Sequence, residues 1–79
     1  MQATLTQGTT HSMSKAVDET MTVPYVRGDY ASFAEMPRVF ATAALVGFVE
    51  AACMETLAPY LDEGEVTLGT LVDITHSAP

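Results

Sequence analysis

Apolar positions are spread unevenly along the chain, and their spacing changes character several times. Residues 1–19 are polar and rich in Thr, Ser and Gln, with no sustained period. They are expected to form a largely disordered tail, with Gly8 and the Thr9-Thr10 pair as a flexible lead-in. Residues 20–79 are expected to form the folded part. From 20 to 27, Met21, Val23 and Tyr25 alternate with polar residues or Pro, which predicts a short strand. Pro24 has no N–H to give to a ladder, so that strand is expected at an edge or a bulge. Gly28-Asp29 breaks it. Tyr30, Phe33 and Met36 then crowd a short connection, where they either pack on the core or form a lid over a pocket.

Pro37 suits the first turn of a helix. From Arg38 to Glu55 the pattern is helical, with apolar residues on nearly every face. Such a helix is enclosed on most sides or lies in a membrane. Glu50 interrupts the apolar run, and the run is shorter than the ~20 residues a span needs, which favours a soluble core helix. Ala43, Gly47 and Ala51 form a small-residue stripe suited to close packing on a sheet. Pro59 ends the regular helix, and Asp62-Glu63-Gly64-Glu65 reads as a turn. Residues 66–76 return to period two. Val66, Leu68, Thr70, Val72, Ile74 and His76 share the face expected to cover the helix. The order is tail, strand, loop, long helix, turn, strand, an α+β arrangement. Two strands form a marginal sheet and cannot enclose a helix that is apolar all round, so covering surface must come from elsewhere.

Composition narrows the partners. With 79 residues there is room for one domain, and a core of that size is marginal without staples. The single cysteine, Cys53, cannot form an internal disulfide, and no Cys/His spacing suggests a metal site. Three basic residues stand against ten acidic ones, for a net charge of −7. Lys15, Arg27 and Arg38 form no patch, which argues against binding to nucleic acid or to an anionic membrane. No basic, apolar leader opens the chain, so a cytoplasmic, reducing setting is expected.

Three residues stand out as chemistry. Glu50 sits between Val49 and Ala51 in a helix that looks buried. Either it is a desolvated acid, as functional sites often hold, or it marks an edge that meets solvent. His76 shares the helix-facing side of the second strand and is a candidate general base, or a satisfied rim histidine. Thr42 either returns its hydroxyl to the helix backbone or faces the same site. Thr42 and Glu50 are separated by eight residues, about 80° of turn and about 12 Å of rise. An imidazole can bridge part of that gap, and a second subunit can supply a member instead. His11 reads as solvated in the tail, and Cys53 as a small hydrophobe.

Several motifs together resemble a known family. They are Phe33-Ala34-Glu35-Met36-Pro37, Val39-Phe40-Ala41-Thr42, Val46-Gly47, Glu50, Ala52-Cys53, Ala58-Pro59-Tyr60-Leu61, Gly64-Glu65, Leu68-Gly69-Thr70 and Thr75-His76. The chain resembles the fluoroacetyl-CoA thioesterase group of the hot-dog fold, without gaps from about Val23 onward. The resemblance implies an antiparallel sheet wrapped round one long central helix, and a homodimer with active sites near the interface. It implies hydrolysis of an acyl-CoA thioester, with no cofactor beyond the coenzyme A of the substrate. The family's catalytic threonine, glutamate and histidine fall on Thr42, Glu50 and His76. Gly69 matches a substrate-contacting turn of strand, and Val23, Val26, Phe33 and Met36 match a hydrophobic lid. Met36 stands where the specialised enzyme has an aromatic gate, so a generic short acyl-CoA is expected ahead of strict selection of the fluorinated one.

The family pattern continues with further strands past the position of Pro79, so a partial hot-dog domain is expected, one that can hold the catalytic residues and still lack a competent site. Two other expectations stand beside this one. The first is a non-enzymatic α+β module that dimerises or binds acyl groups. The second is a hot-dog relative with another task, such as acyl-thioester hydration.

Overall fold

The computed structural model describes residues 1–79. It contains three helices, α1 (Val23–Val26), α2 (Ala31–Ala34) and α3 (Thr42–Leu57). Single 3₁₀ turns occur at Glu19–Met21 and Ala58–Tyr60. It contains no β-strand, and its one piece of β pairing is an isolated antiparallel bridge between Thr22 and Phe40.

That bridge is what remains of the strand expected over 20–27. Val23 N donates to Val39 O at 3.0 Å, and Ala41 N donates to Met21 O at 2.8 Å. Pairing stops there because the chain turns at once into α1, with Pro24 in its first turn. Pro24 has no N–H to extend a ladder, and its fixed φ suits a helix start. The N–H groups of Tyr25 and Val26 both fold back onto Thr22 O at 3.0 Å. Thr22 and Ala41, at 7% and 2% exposure, are the two buried residues of the chain. The Thr22 hydroxyl is satisfied by donating to Glu19 O at 2.7 Å.

The same pairing delays the long helix. Pro37 and Arg38 were expected to begin it, but α3 starts at Thr42. Ala41 is extended, at φ −72° and ψ 137°, because its N–H is engaged by Met21. Helical geometry is available only after that bond is made. α3 then runs for sixteen residues and passes into the 3₁₀ turn that carries Pro59. The expected turn at 62–65 is present: Glu65 N donates to Asp62 O at 3.0 Å, and Gly64 has a positive φ of 83°.

The second strand, expected over 66–76, is absent as a strand. Val66, Leu68 and Leu71 are 78%, 84% and 86% exposed, so the alternation does not put one face against α3. An isolated extended segment has no partner for its N–H and C=O groups, and no neighbouring strand is there to supply one. The radius of gyration is 15.7 Å, against about 12 Å for a compact chain of this length. α3 with its terminal turn, Thr42–Tyr60, is long and apolar enough by composition to cross a membrane. The central helix of a soluble α+β domain has the same character.

Residues 1–18 carry no helix or strand, yet they lie against the rest of the chain. Gln2 N donates to Tyr60 O at 2.6 Å. The Met1 ammonium pairs with Asp62 at 3.0 Å and Glu65 at 2.5 Å. His11, read as solvated, is exposed but has a partner: its Nε2 meets Glu55 Oε1 at 2.9 Å. Hydrogen bonds to Glu65 and Asp62 raise the ammonium pKa above its ordinary 8.0. The ammonium in turn holds Glu65 below its ordinary 4.5.

Two predictions follow from this packing. Ala41→Leu overfills the site of the bridge and should cost about 1–3 kcal/mol in urea unfolding followed by circular dichroism. Ala43→Leu, at an exposed neighbouring position, should leave the midpoint in place. The raised ammonium pKa gives a contribution that is full below pH 8.0 and is lost as pH rises through the folded value. The lowered Glu65 pKa gives one that is full above pH 4.5 and is lost as pH falls through the folded value. The terminal clamp should therefore be complete between those limits. The Gln2 amide resonance should move outside them and hold steady within.

Candidate functional site

Thr42 and His76 meet. Thr42 is the first residue of α3 and is exposed. Its Oγ1 lies 2.9 Å from His76 Nδ1. The imidazole is half-buried and stands edge-on to Phe40, with ring centroids 5.6 Å apart at 72°. The bridge at Thr22 and Phe40 sets this geometry. By holding Phe40 extended it brings Val23 beside the start of α3 and presents the Phe40 ring to the imidazole. Of the expected face of residues 66–76, His76 at the far end is the member that reaches Thr42.

The pair opens onto a cavity of about 320 Å³ whose walls include Val23, Met36, Val39 and Phe40. A hydroxyl and an imidazole thus face an open recess of mixed polarity, with apolar walls at Val23, Met36, Val39 and Phe40 and a polar one at Ser77. An imidazole placed on a hydroxyl can take its proton and so activate the oxygen for attack. Ala41 offers no side-chain cap to α3. The first-turn N–H groups beside Thr42 therefore lack a side-chain acceptor and favour negative charge there.

Glu50 lies elsewhere. It is exposed, so of its two readings the helix edge that meets solvent is the one found. It lines a second cavity of about 240 Å³ with Val46, Cys53, Gly69, Leu71 and Ile74. Gly69 is close to it: a Cβ on Gly69 would stand 3.8 Å from Glu50 Oε1. The structure therefore brings together Thr42 with His76, and separately Glu50 with Gly69. Two turns of α3 lie between the two pairs, about 12 Å along the axis.

The four expected lid residues also divide. Val23 and Met36 line the Thr42–His76 cavity. Val26 and Phe33 do not. Phe33 instead packs edge-on to Tyr30 at 5.9 Å, and the Arg27 guanidinium sits over the Tyr30 ring at 4.4 Å. Arg27 is held by Asp29 through two hydrogen bonds, at 2.9 and 2.7 Å. That pairing raises the Arg27 pKa and lowers that of Asp29.

Two features were not foreseen. Phe40 packs on the catalytic candidate His76 and contributes to two cavities. Its signal in the sequence is a large aromatic two residues before Thr42. A third cavity, of about 360 Å³, lies between the N-terminal segment and α3 and includes Met13, Val17 and Met21 in its lining. Met13 and Val17 lie in the stretch that reads as tail and, with Met21 of the expected strand, recur every fourth position.

Comparison with known proteins gives the family. Residues 17–79 match the family model FlK, the fluoroacetyl-CoA-specific thioesterase. A fluoroacetyl-CoA thioesterase from Streptantibioticus cattleyicolor is 47% identical over 57 residues, which is 72% of this chain and 41% of that protein. A solved structure of the fluoroacetyl-CoA thioesterase FlK superposes with a TM-score of 0.76 at 45% identity, covering 78% of this chain and 46% of that one. A threonine-to-alanine variant of FlK in complex with fluoroacetate gives 0.76 at 44% identity, with 78% and 47% covered. A phenylalanine-to-alanine variant in complex with fluoroacetate and CoA gives 0.75 at 45% identity, with 78% and 50% covered. The chain thus spans about half the length of the relatives it matches. With most of its residues matched by the family model, it belongs to the family of fluoroacetyl-CoA-specific thioesterases.

Proposed function

We propose that this chain carries the Thr42–His76 reacting pair of an acyl-CoA thioester hydrolase, acting on a short acyl-CoA. The observation that carries this reading is the 2.9 Å contact between Thr42 Oγ1 and His76 Nδ1 at a cavity that Val23, Met36, Val39 and Phe40 help to wall. The names of the relatives supply the substrate class. His76 Nδ1 accepts the Thr42 hydroxyl proton, and Oγ1 attacks the thioester carbonyl or positions the water that does. The C–S bond breaks, and the coenzyme A sulfur leaves with the proton; where Oγ1 has attacked, a water that gives its proton to His76 then cleaves the acyl ester, releasing the acid and returning that proton to Oγ1. Negative charge developing on the carbonyl oxygen is favoured by the uncapped first turn of α3. No cofactor takes part beyond the coenzyme A of the substrate.

Glu50 and Gly69 complete the proposed site from the second cavity, with Glu50 as the third catalytic residue. Their distance from Thr42 favours a role on the acyl group, or across a dimer interface, over direct orientation of His76. Val23 and Met36 form the part of the lid that faces the acyl end. Val26 and Phe33 are proposed to close over it once the sheet is in place. An antiparallel sheet wrapped round α3 in a homodimer is the architecture this reading needs, because the chain alone leaves α3 uncovered. Met36 in place of an aromatic gate favours a generic short acyl group over strict selection of the fluorinated one. A cytoplasmic, reducing setting suits the exposed free thiol of Cys53.

The test is thiol release from acetyl-CoA and fluoroacetyl-CoA. It is followed with a thiol reagent on the chain alone and on a version extended with the segment of the relatives it does not span. The extended version should release thiol, and Thr42→Ala or His76→Ala should each lower kcat/KM by about 10²–10⁴-fold. If the extended version releases no thiol, the reading fails. If both variants retain the full rate, the residue assignment fails. Gly69→Ala has room in the fold, since the added Cβ meets Glu50 at ordinary contact distance. It should therefore leave the thermal midpoint unchanged while narrowing the second cavity and raising KM.

A further inference from the structure

The chain carries a net charge of −7 and three basic side chains. An anionic ligand is therefore repelled by the chain as a whole and depends on a local cation. A coenzyme A thioester is such a ligand, because its diphosphate is charged at neutral pH. The three cations are placed very differently. Lys15 lines the 360 Å³ cavity, which neither Thr42 nor His76 touches. Arg27 is engaged already, by two short hydrogen bonds to Asp29 and by the Tyr30 ring beneath it.

Arg38 is free by comparison. Val39 N donates to Pro37 O at 2.8 Å, which closes a three-residue turn with Arg38 at its tip. Met36 and Val39 flank that turn, and both wall the Thr42–His76 cavity. The turn thus fixes the Arg38 backbone at the rim of the cavity. Its guanidinium is exposed, and its ion pair is with exposed Glu19 at 3.4 Å. A long, exposed pair of this kind contributes little, so giving it up costs little. A guanidinium grips phosphate oxygens through two parallel N–H groups, a stronger contact than the one it would leave.

We propose that Arg38 binds the diphosphate of the coenzyme A thioester, exchanging Glu19 for it. This rests on the reading of Thr42 and His76 as the reacting pair. Arg38 stands four residues before Thr42, at most about 14 Å of chain. The pantetheine arm is long and flexible, so a thioester at Thr42 carries its diphosphate out to the rim and not to the reacting atoms. The contact is the same before and during the attack. It therefore strengthens substrate binding without changing the rate of the bound complex.

The experiment compares acetyl-CoA with S-acetylpantetheine, which keeps the thioester and the arm but lacks the diphosphate. Hydrolysis is followed on the version extended with the segment of the relatives that this chain does not span. Coenzyme A binding is followed by calorimetry on the same protein. Arg38→Gln should raise KM for acetyl-CoA about five- to tenfold at unchanged kcat, and weaken coenzyme A binding by the same factor. Its KM for S-acetylpantetheine should equal the parent's, and Arg38→Lys should recover part of the loss. Lys15→Gln removes the same charge elsewhere and should match the parent on both substrates. Acetyl-dephospho-CoA, which keeps the diphosphate and lacks the 3′-phosphate, should remain sensitive to Arg38→Gln. The proposal is overturned if Arg38→Gln leaves KM and coenzyme A binding unchanged, or if it raises KM for S-acetylpantetheine equally. It is also overturned if acetyl-dephospho-CoA loses the sensitivity, which would put the contact at the 3′-phosphate. A parent that binds coenzyme A through Arg38 and hydrolyses no thioester would sink the reacting pair and leave this contact standing.

Discussion

Two backbone hydrogen bonds, Val23 N to Val39 O and Ala41 N to Met21 O, hold the segment before α1 against the segment before α3. The rest of the structure depends on them. They bury Thr22 and Ala41 and hold Ala41 extended, so that α3 begins at Thr42. Had the helix begun at Pro37, Thr42 would sit in its second turn, with its hydroxyl free to bond back to a backbone carbonyl. Beginning at Thr42, the helix leaves that hydroxyl at its open end, where His76 reaches it. The fold and the site are thus set by the same short pairing.

What the pairing does not do is cover α3. Apolar residues surround the helix almost evenly, and helix stability in water comes mostly from burying such residues. Here Val49 and Met54 are exposed, and Leu45 and Phe48 are half-buried. The N-terminal segment supplies part of the cover through Met13 and Val17. It is fastened by the Met1 ammonium at one end of the helix and by His11 at Glu55. These are exposed polar contacts, and exposed ion pairs contribute little. They place the segment more than they stabilise it.

The division of the site follows from helix geometry. Thr42 and Glu50 are fixed on one rigid rod, and no side chain of α3 can shorten the axial gap between them. What can close it is a group that spans both cavities, or a partner surface. The segment around Gly69 and His76 runs alongside the rod and touches it at both places. It makes those contacts without being a strand, so its two chemical positions are held by side-chain and close backbone contact alone.

Much was legible in the sequence because it depends on local chemistry. Pro59 and Gly64 stop and turn the chain wherever it goes, and the apolar run that ends at Met54 implies a helix, although its first three residues, 39–41, are held extended by the bridge. Thr42, Glu50 and His76 were recognisable because polar groups in an apolar pattern are conspicuous. The motifs around them were specific enough to indicate the family. The strand periods at 20–27 and 66–76 were equally visible but did not become strands. A strand's hydrogen bonds lie between segments, so period two states a capacity that only a neighbour can realise. The tertiary structure alone decided that Pro24 would start a helix, that Phe40 would back the imidazole, and that Glu50 would stand with Gly69 and apart from His76. Each of these depends on which distant residues come into contact, and no local pattern encodes that.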